Sequence, residues 1–167
     1  MYKEQERILN LWEEFLKEIT SKMESSIKEI LDEVLNNKDI FAIFFEYEYD
    51  DMDIIFYAMD RKENALLRKL NMVIDKLNCN HLFPKELSDK QMELNNRYDS
   101  NDDNYEEYID EYSKIKEDIF KNWFKKCWDN IKNDYNNIPK AYFSIHDTNW
   151  KTDLETKERI KYSEIMK

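Results

Sequence analysis

The chain has 167 residues, 41% hydrophobic and 14% aromatic, enough apolar side chains for one domain to bury a core without disulfide or metal staples. Its net charge of -11 sets it against binding nucleic acid by phosphate neutralisation and makes a basic protein the favoured partner. With no glycine and only two prolines it also lacks the close-approach loops that cradle phosphates, bind dinucleotides or form a nucleophile elbow, so those enzyme classes fall away.

In chain order, Ile8, Trp12, Phe15, Ile19, Met23, Ile27, Ile30 and Val34 recur every three or four residues and predict a long amphipathic helix over 5–36. The β-rich stretch that follows predicts a hairpin over 40–59: its early part is apolar on both faces and expected at the centre of a sheet, and its acidic tip, turning at Asp50-Asp51, is expected in solvent. Asp60 with Glu63 reads as a capping box opening a helix whose buried stripe is Leu66, Leu70, Val73 and Leu77. Pro84 breaks the chain. Ser88 with Gln91 then starts a short helix carrying Met92 and Leu94, and a polar loop follows at 99–104. From Tyr105 through Tyr112, Ile119, Trp123 and Cys127 to Tyr135 the helical period returns, predicting a second long helix over 104–136. After Pro139, residues 141–146 read as a strand. The segment 150–155 fits either a returning strand, which is favoured, or a helix capped by Thr152 and Glu155, with Ile160 and Ile165 on a short helix beyond.

Acidity is concentrated in two blocks. Residues 40–60 carry -6 with no lysine or arginine, and residues 99–118 carry -7. Such runs are most often solvated faces that keep a protein soluble, and otherwise they are docking surfaces for a cationic partner. The first block supplies Glu46, Glu48, Asp50, Asp51 and Asp53 as candidate partner-binding residues, and the second supplies Asp102, Asp103, Glu106, Glu107, Asp110 and Glu111.

Catalytic patterns are sparse. Cys79, His81, Cys127 and His146 are metal-ligand types at poor spacing, so no metal and no cofactor is expected. The hairpin carboxylates could hold a hard divalent cation for hydrolysis, the main enzymatic alternative. Ser144 and His146 share a strand face beside Asp147, without a signal for an oxyanion hole. There is no apolar run of membrane-spanning length and no signal-peptide core at the N-terminus, and the two cysteines lie far apart. A cytoplasmic location with reduced thiols is the expectation.

Trp123-Phe124-Lys125-Lys126-Cys127-Trp128, followed by Ala141-Tyr142-Phe143-Ser144-Ile145-His146-Asp147 and Asp153-Leu154-Glu155-Thr156, resembles small bacterial proteins encoded beside polymorphic and contact-dependent toxins and taken to act as immunity proteins. The resemblance covers about residues 120–160, with a looser likeness over 40–59; where similar proteins often have a glycine after the Asp-Leu-x-Thr stretch, Lys157 stands here. It implies binding rather than catalysis and supplies no catalytic residue.

The reading is therefore one α+β domain over 1–167, an antiparallel sheet of hairpins near 40–59 and 141–155 covered by two long helices. Its expected role is an acidic, non-enzymatic inhibitor of a cationic, nuclease-type toxin domain, with no nucleic acid or membrane as partner. The alternatives are the metal-dependent hydrolase and a structural or regulatory module.

Overall fold

The structure, a computed structural model, describes residues 2–70, 72–77, 79–98 and 105–167. It is α+β, in the order α1 (Lys3–Leu35), β1 (Ala42–Tyr47), β2 (Ile54–Met59), β3 (Ala65–Lys69), α2 (Ile74–Leu77), α3 (Lys85–Tyr98), α4 (Tyr105–Lys132), β4 (Lys140–Ile145), β5 (Trp150–Asp153), β6 (Arg159–Lys161) and α5 (Tyr162–Ile165). The sheet runs β3-β2-β1-β4-β5-β6. Every neighbouring pair is antiparallel except β1 and β4, which are parallel over six register pairs from Ala42–Lys140 to Tyr47–Ile145. The two expected hairpins thus meet through their first strands. A parallel pair needs a long crossover, and α2, α3 and α4 provide it.

Side-chain alternation on β1 separates two cores. Ile43, Phe45 and Tyr47 face α1 and α4 in the main cluster, where Phe45 meets Phe56, Phe124 and Trp128 at ring distances of 5.1–5.8 Å. Ala42 and Phe44 face the other way, into a smaller cluster with Tyr142 and Ile165 that α5 covers. Every β1 residue is buried, as expected of a central strand packed on both faces. The two long helices pack on each other, and their contact carries a hydrogen bond of 3.1 Å from Trp123 Nε1 to Thr20 Oγ1. Tyr112 and Trp123 are buried as their spacing implied.

Two local readings change, and a third changes only in that Ile160, expected on the last short helix, lies on strand β6. The helix expected to open at Asp60 is an edge strand, β3, preceded by a tight turn. Asp60 Oδ1 accepts the N–H groups of Lys62 and Asn64 at 2.8 and 2.9 Å, and the same Asx geometry that caps helices here closes a β-turn. Pairing with β2 then decides the segment, leaving Leu70 exposed and only Ile74–Leu77 helical. The short helix assigned to Ser88 starts earlier, directly after Pro84, and runs fourteen residues, burying Leu87 and Leu94 while Met92 stays exposed. Residues 150–153 do return as a strand, because the Asp153 carboxylate takes the N–H groups of Glu155 and Thr156 at 2.7 and 2.9 Å and turns the chain into β6, which carries Ile160.

Without glycine, six other described residues adopt left-handed backbone: Met52, Glu63, Val73, Asn137, Asp147 and Lys157, at φ between 56° and 77°. Each of the six sits in a connection that flanks a strand, and Lys157 closes the β5–β6 turn with its N–H on Asp153 O at 2.9 Å. For residues bearing a Cβ this conformation costs about 1–2 kcal/mol each. Two measurements by denaturant unfolding check this packing and backbone. Phe45→Ala is expected to cost about 3–5 kcal/mol, against less than about 0.5 kcal/mol for Leu70→Ala on the surface. Glu63→Gly, at an exposed turn position, is expected to raise stability by about 0.5–1 kcal/mol.

Candidate functional site

The carboxyl ends of β1 and β4 lie side by side, because the two strands are parallel and in register. His146 N–H donates to Tyr47 O at 2.9 Å, and the β1–β2 turn, Glu48 to Asp53, stands next to the β4–β5 turn at Asp147. Of the five hairpin carboxylates, this arrangement leaves three at the surface. Asp50 is exposed, Glu48 and Asp51 are about half exposed, and Asp147 of the neighbouring turn joins them with 90% of its side chain in solvent.

Glu46 and Asp53, read from sequence as part of the same surface, are buried, and each has an internal task. Glu46 points to the face away from the long helices. There its carboxylate accepts the Tyr57 hydroxyl at 2.5 Å, faces His146 Nδ1 at 2.8 Å and pairs with Lys151 Nζ, itself only 5% exposed. Burial opposes charge on Glu46, but the hydrogen bonds from Lys151, Tyr57 and His146 outweigh it and hold the carboxyl below its usual range. Lys151 also donates to Ser144 Oγ at 3.2 Å, so that hydroxyl is engaged by a lysine while His146 turns to Glu46. His146 Nε2 also lies 3.5 Å from Asp147 Oδ1, so of the candidate Ser144–His146–Asp147 grouping the histidine and aspartate meet while Ser144 is held by Lys151.

Asp53 anchors the other side of the turn. Its Oδ1 accepts the N–H of Leu82 at 2.7 Å, and its Oδ2 lies 3.1 Å from His81 Nδ1, which is also 3.4 Å from Asp51 Oδ2. Met52, fully buried with left-handed backbone between them, lets both aspartates reach one histidine. Phe83 N–H donates to Asp51 O at 2.8 Å. From α4, Lys116 Nζ reaches Asp50 O at 3.3 Å and sits 4.4 Å from the centre of the Phe83 ring; burial pushes its pKa down. The turn is therefore clamped on both sides, so its carboxylates are held in place and not on a loose tip.

The Lys116 clamp also brings the second acidic block to this end. Asp110 and Glu111 precede Lys116 on α4 by about 8 Å of helix, and Glu106 and Glu107 lie in the first turn; all four are exposed. Asp102 and Asp103 lie outside the described residues. Residues 105–118 of α4 carry -4 and residues 119–132 carry +3, so the helix is acidic at its amino end and basic at its carboxyl end, which matches its macrodipole.

Among the described residues, one group of three potential metal ligands closes up, Asp51, Asp53 and His81, with ligand atoms within 4.8 Å of one another. Of the four residues singled out by type, Cys79 and His81 stay together beside Asp53, whereas Cys127 is buried in the main core, where burial pushes its thiol up to about 12, and His146 lies against Glu46. Spacing missed Tyr57, Lys116 and Lys151. The signal for Lys151 was its place opposite Ser144 once 150–153 is read as a strand.

No protein-family model, curated protein or solved structure matches the chain. Among the described residues no helix is long and apolar enough to cross a membrane.

The buried carboxylate makes two measurable statements. Glu46→Gln leaves the Lys151 ammonium buried without its anion and is expected to cost about 3–5 kcal/mol in denaturant unfolding. The Glu46 hydrogen bond holds the His146 pKa above its usual value, so this group contributes stability that is complete below about pH 6.5 and is lost as pH rises through the folded value. Thermal unfolding between pH 6 and pH 9 is therefore expected to fall less steeply in His146→Gln than in the unaltered protein.

Proposed function

We propose that this protein is an acidic binding protein of the immunity type, docking a basic, nuclease-type toxin domain on the end of the sheet formed by Glu48, Asp50, Asp51 and Asp147 together with the amino-terminal half of α4. The observation that carries the reading is the convergence at one end of two acidic blocks lying far apart in sequence, joined through the Lys116 contact to Asp50. A nuclease presents a basic cleft to its substrate. Fixed carboxylates opposite that cleft speed association and bar phosphate from it. Because Lys116, Leu82 and Phe83 hold the turn, little conformational entropy is lost when a partner docks there. The resemblance of residues 120–160 to immunity-type proteins points the same way.

Replacing Glu48, Asp50 and Asp51 together by their amides is expected to leave the unfolding midpoint unchanged. Association with the toxin domain encoded beside this chain should slow about tenfold and lose most of its salt dependence. Growth rescue against that domain should fail, while Glu13→Gln, Glu18→Gln and Glu29→Gln on α1 leave both readouts as they were. A neighbouring gene with no toxin domain, or unchanged rescue and salt slope, overturns the proposal.

A second reading, a metal-dependent hydrolase, is favoured by the Asp51–Asp53–His81 group, whose 3.1 and 3.4 Å separations suit two ligands of one ion at about 2.1 Å each. Binding without metal predicts the same thermal midpoint with and without chelator, whereas a midpoint drop of more than about 10 °C on chelation selects the hydrolase reading.

A further inference from the structure

We infer that the cleft between α4 and strands β4 to β6 is a binding site for a small organic phosphate carrying a planar ring. The cleft is distinct from the acidic end and opposite to it in charge. It encloses about 510 Å³, a volume ordinary for a small-molecule site, over an apolar floor of Tyr47, Phe143 and Leu154. In a chain of net charge -11 the cations Lys121, Lys125, Lys157 and Arg159 line it, with Glu117 and Asp153 as the opposing carboxylates.

Both of those carboxylates are already engaged. Glu117 accepts the Tyr47 hydroxyl and pairs with Lys121 at 2.5 Å, and Asp153 holds the N–H groups of Glu155 and Thr156. Lys125 is likewise paired with Asp129 at 2.5 Å. That leaves Lys157 and Arg159. Among the described residues neither has a carboxylate within ion-pair distance, and both are exposed at the mouth. A guanidinium fork beside an ammonium suits a phosphate, which offers several acceptor oxygens and two negative charges.

Trp150 supplies the ring preference. It stands at the same mouth with 42% of its surface exposed, large for a tryptophan, and the Arg159 guanidinium and Lys161 ammonium lie 5.5 and 5.3 Å from its ring centre. Arg159, one of the two cations that would hold the phosphate, is therefore adjacent to the indole on which a ring would stack. Asn122, Thr148 and Thr152 add neutral hydrogen-bonding groups around the same space.

Isothermal titration at low salt with adenosine 5′-monophosphate, adenosine and inorganic phosphate tests the site. Saturable binding of the nucleotide is expected, with adenosine and inorganic phosphate each at least tenfold weaker. The double variant Lys157→Gln/Arg159→Gln, altered only at exposed positions, should weaken the nucleotide about a hundredfold, and Trp150→Ala about tenfold with inorganic phosphate unchanged. Near-ultraviolet circular dichroism confirms that the variants remain folded. The triple amide variant at Glu48, Asp50 and Asp51 should bind the nucleotide as the unaltered protein does. No saturable binding, or nucleotide binding indifferent to the double variant, overturns the site. Adenosine as tight as the nucleotide overturns the phosphate assignment, and inorganic phosphate as tight overturns the ring.

Discussion

The parallel ladder between β1 and β4 is the constraint on which the rest of the molecule depends. It joins segments about a hundred residues apart, so a long loop must close before either strand gains a neighbour. Each half of the chain reads as a long helix followed by a three-stranded antiparallel run, and the two runs spread outward from this ladder in opposite directions. Phe45 on β1 and Phe143 on β4 both touch Phe124 of α4, so the ladder and the helix layer are locked by the same aromatic rings. On the other face the Glu46 carboxylate of β1 ties together Tyr57 of β2, Lys151 of β5 and His146 of the β4–β5 turn.

The parallel pairing also decides where charge is displayed. Two antiparallel hairpins meeting head to tail would have sent Glu48 and Asp147 to opposite ends of the sheet; running the same way, β1 and β4 release them together. The charge gradient along α4 continues this polarity, with acid near the turns and base along the cleft. The molecule thus carries an acidic surface at the turns and a basic cleft beside α4, and its strong negative net charge hides the basic cleft from composition.

The two long helices and the central placement of residues 42–47 were legible in sequence, because a sustained period of 3.6 residues marks a helix with one buried face and an unbroken apolar β-rich run marks a strand buried on both. Asp60 and Glu63 were misleading. An aspartate that accepts backbone N–H groups two and four residues ahead serves a turn as well as a helix start, and only pairing with β2 distinguishes them. At the acidic end, residue type alone could not divide the five hairpin carboxylates. Glu46 and Asp53 are withdrawn by Lys151 and Leu82, partners 105 and 29 residues away. The basic cleft was illegible for a similar reason: Lys121, Lys157 and Arg159 come from a helix, a turn and an edge strand that no sequence window contains together.

The absence of glycine has its largest consequence in the unfolded chain. A protein of ordinary composition and this length would carry about a dozen glycines, each widening the set of conformations that folding must abandon at a cost of about 0.5–1 kcal/mol. Removing them narrows that ensemble by about 6–12 kcal/mol, comparable to the total of about 6–12 kcal/mol held in the six left-handed residues with a Cβ among those described. The denatured state is thus a stiffer chain that begins its search with fewer alternatives, and the connections between strands are fixed by side chains that resist other turns.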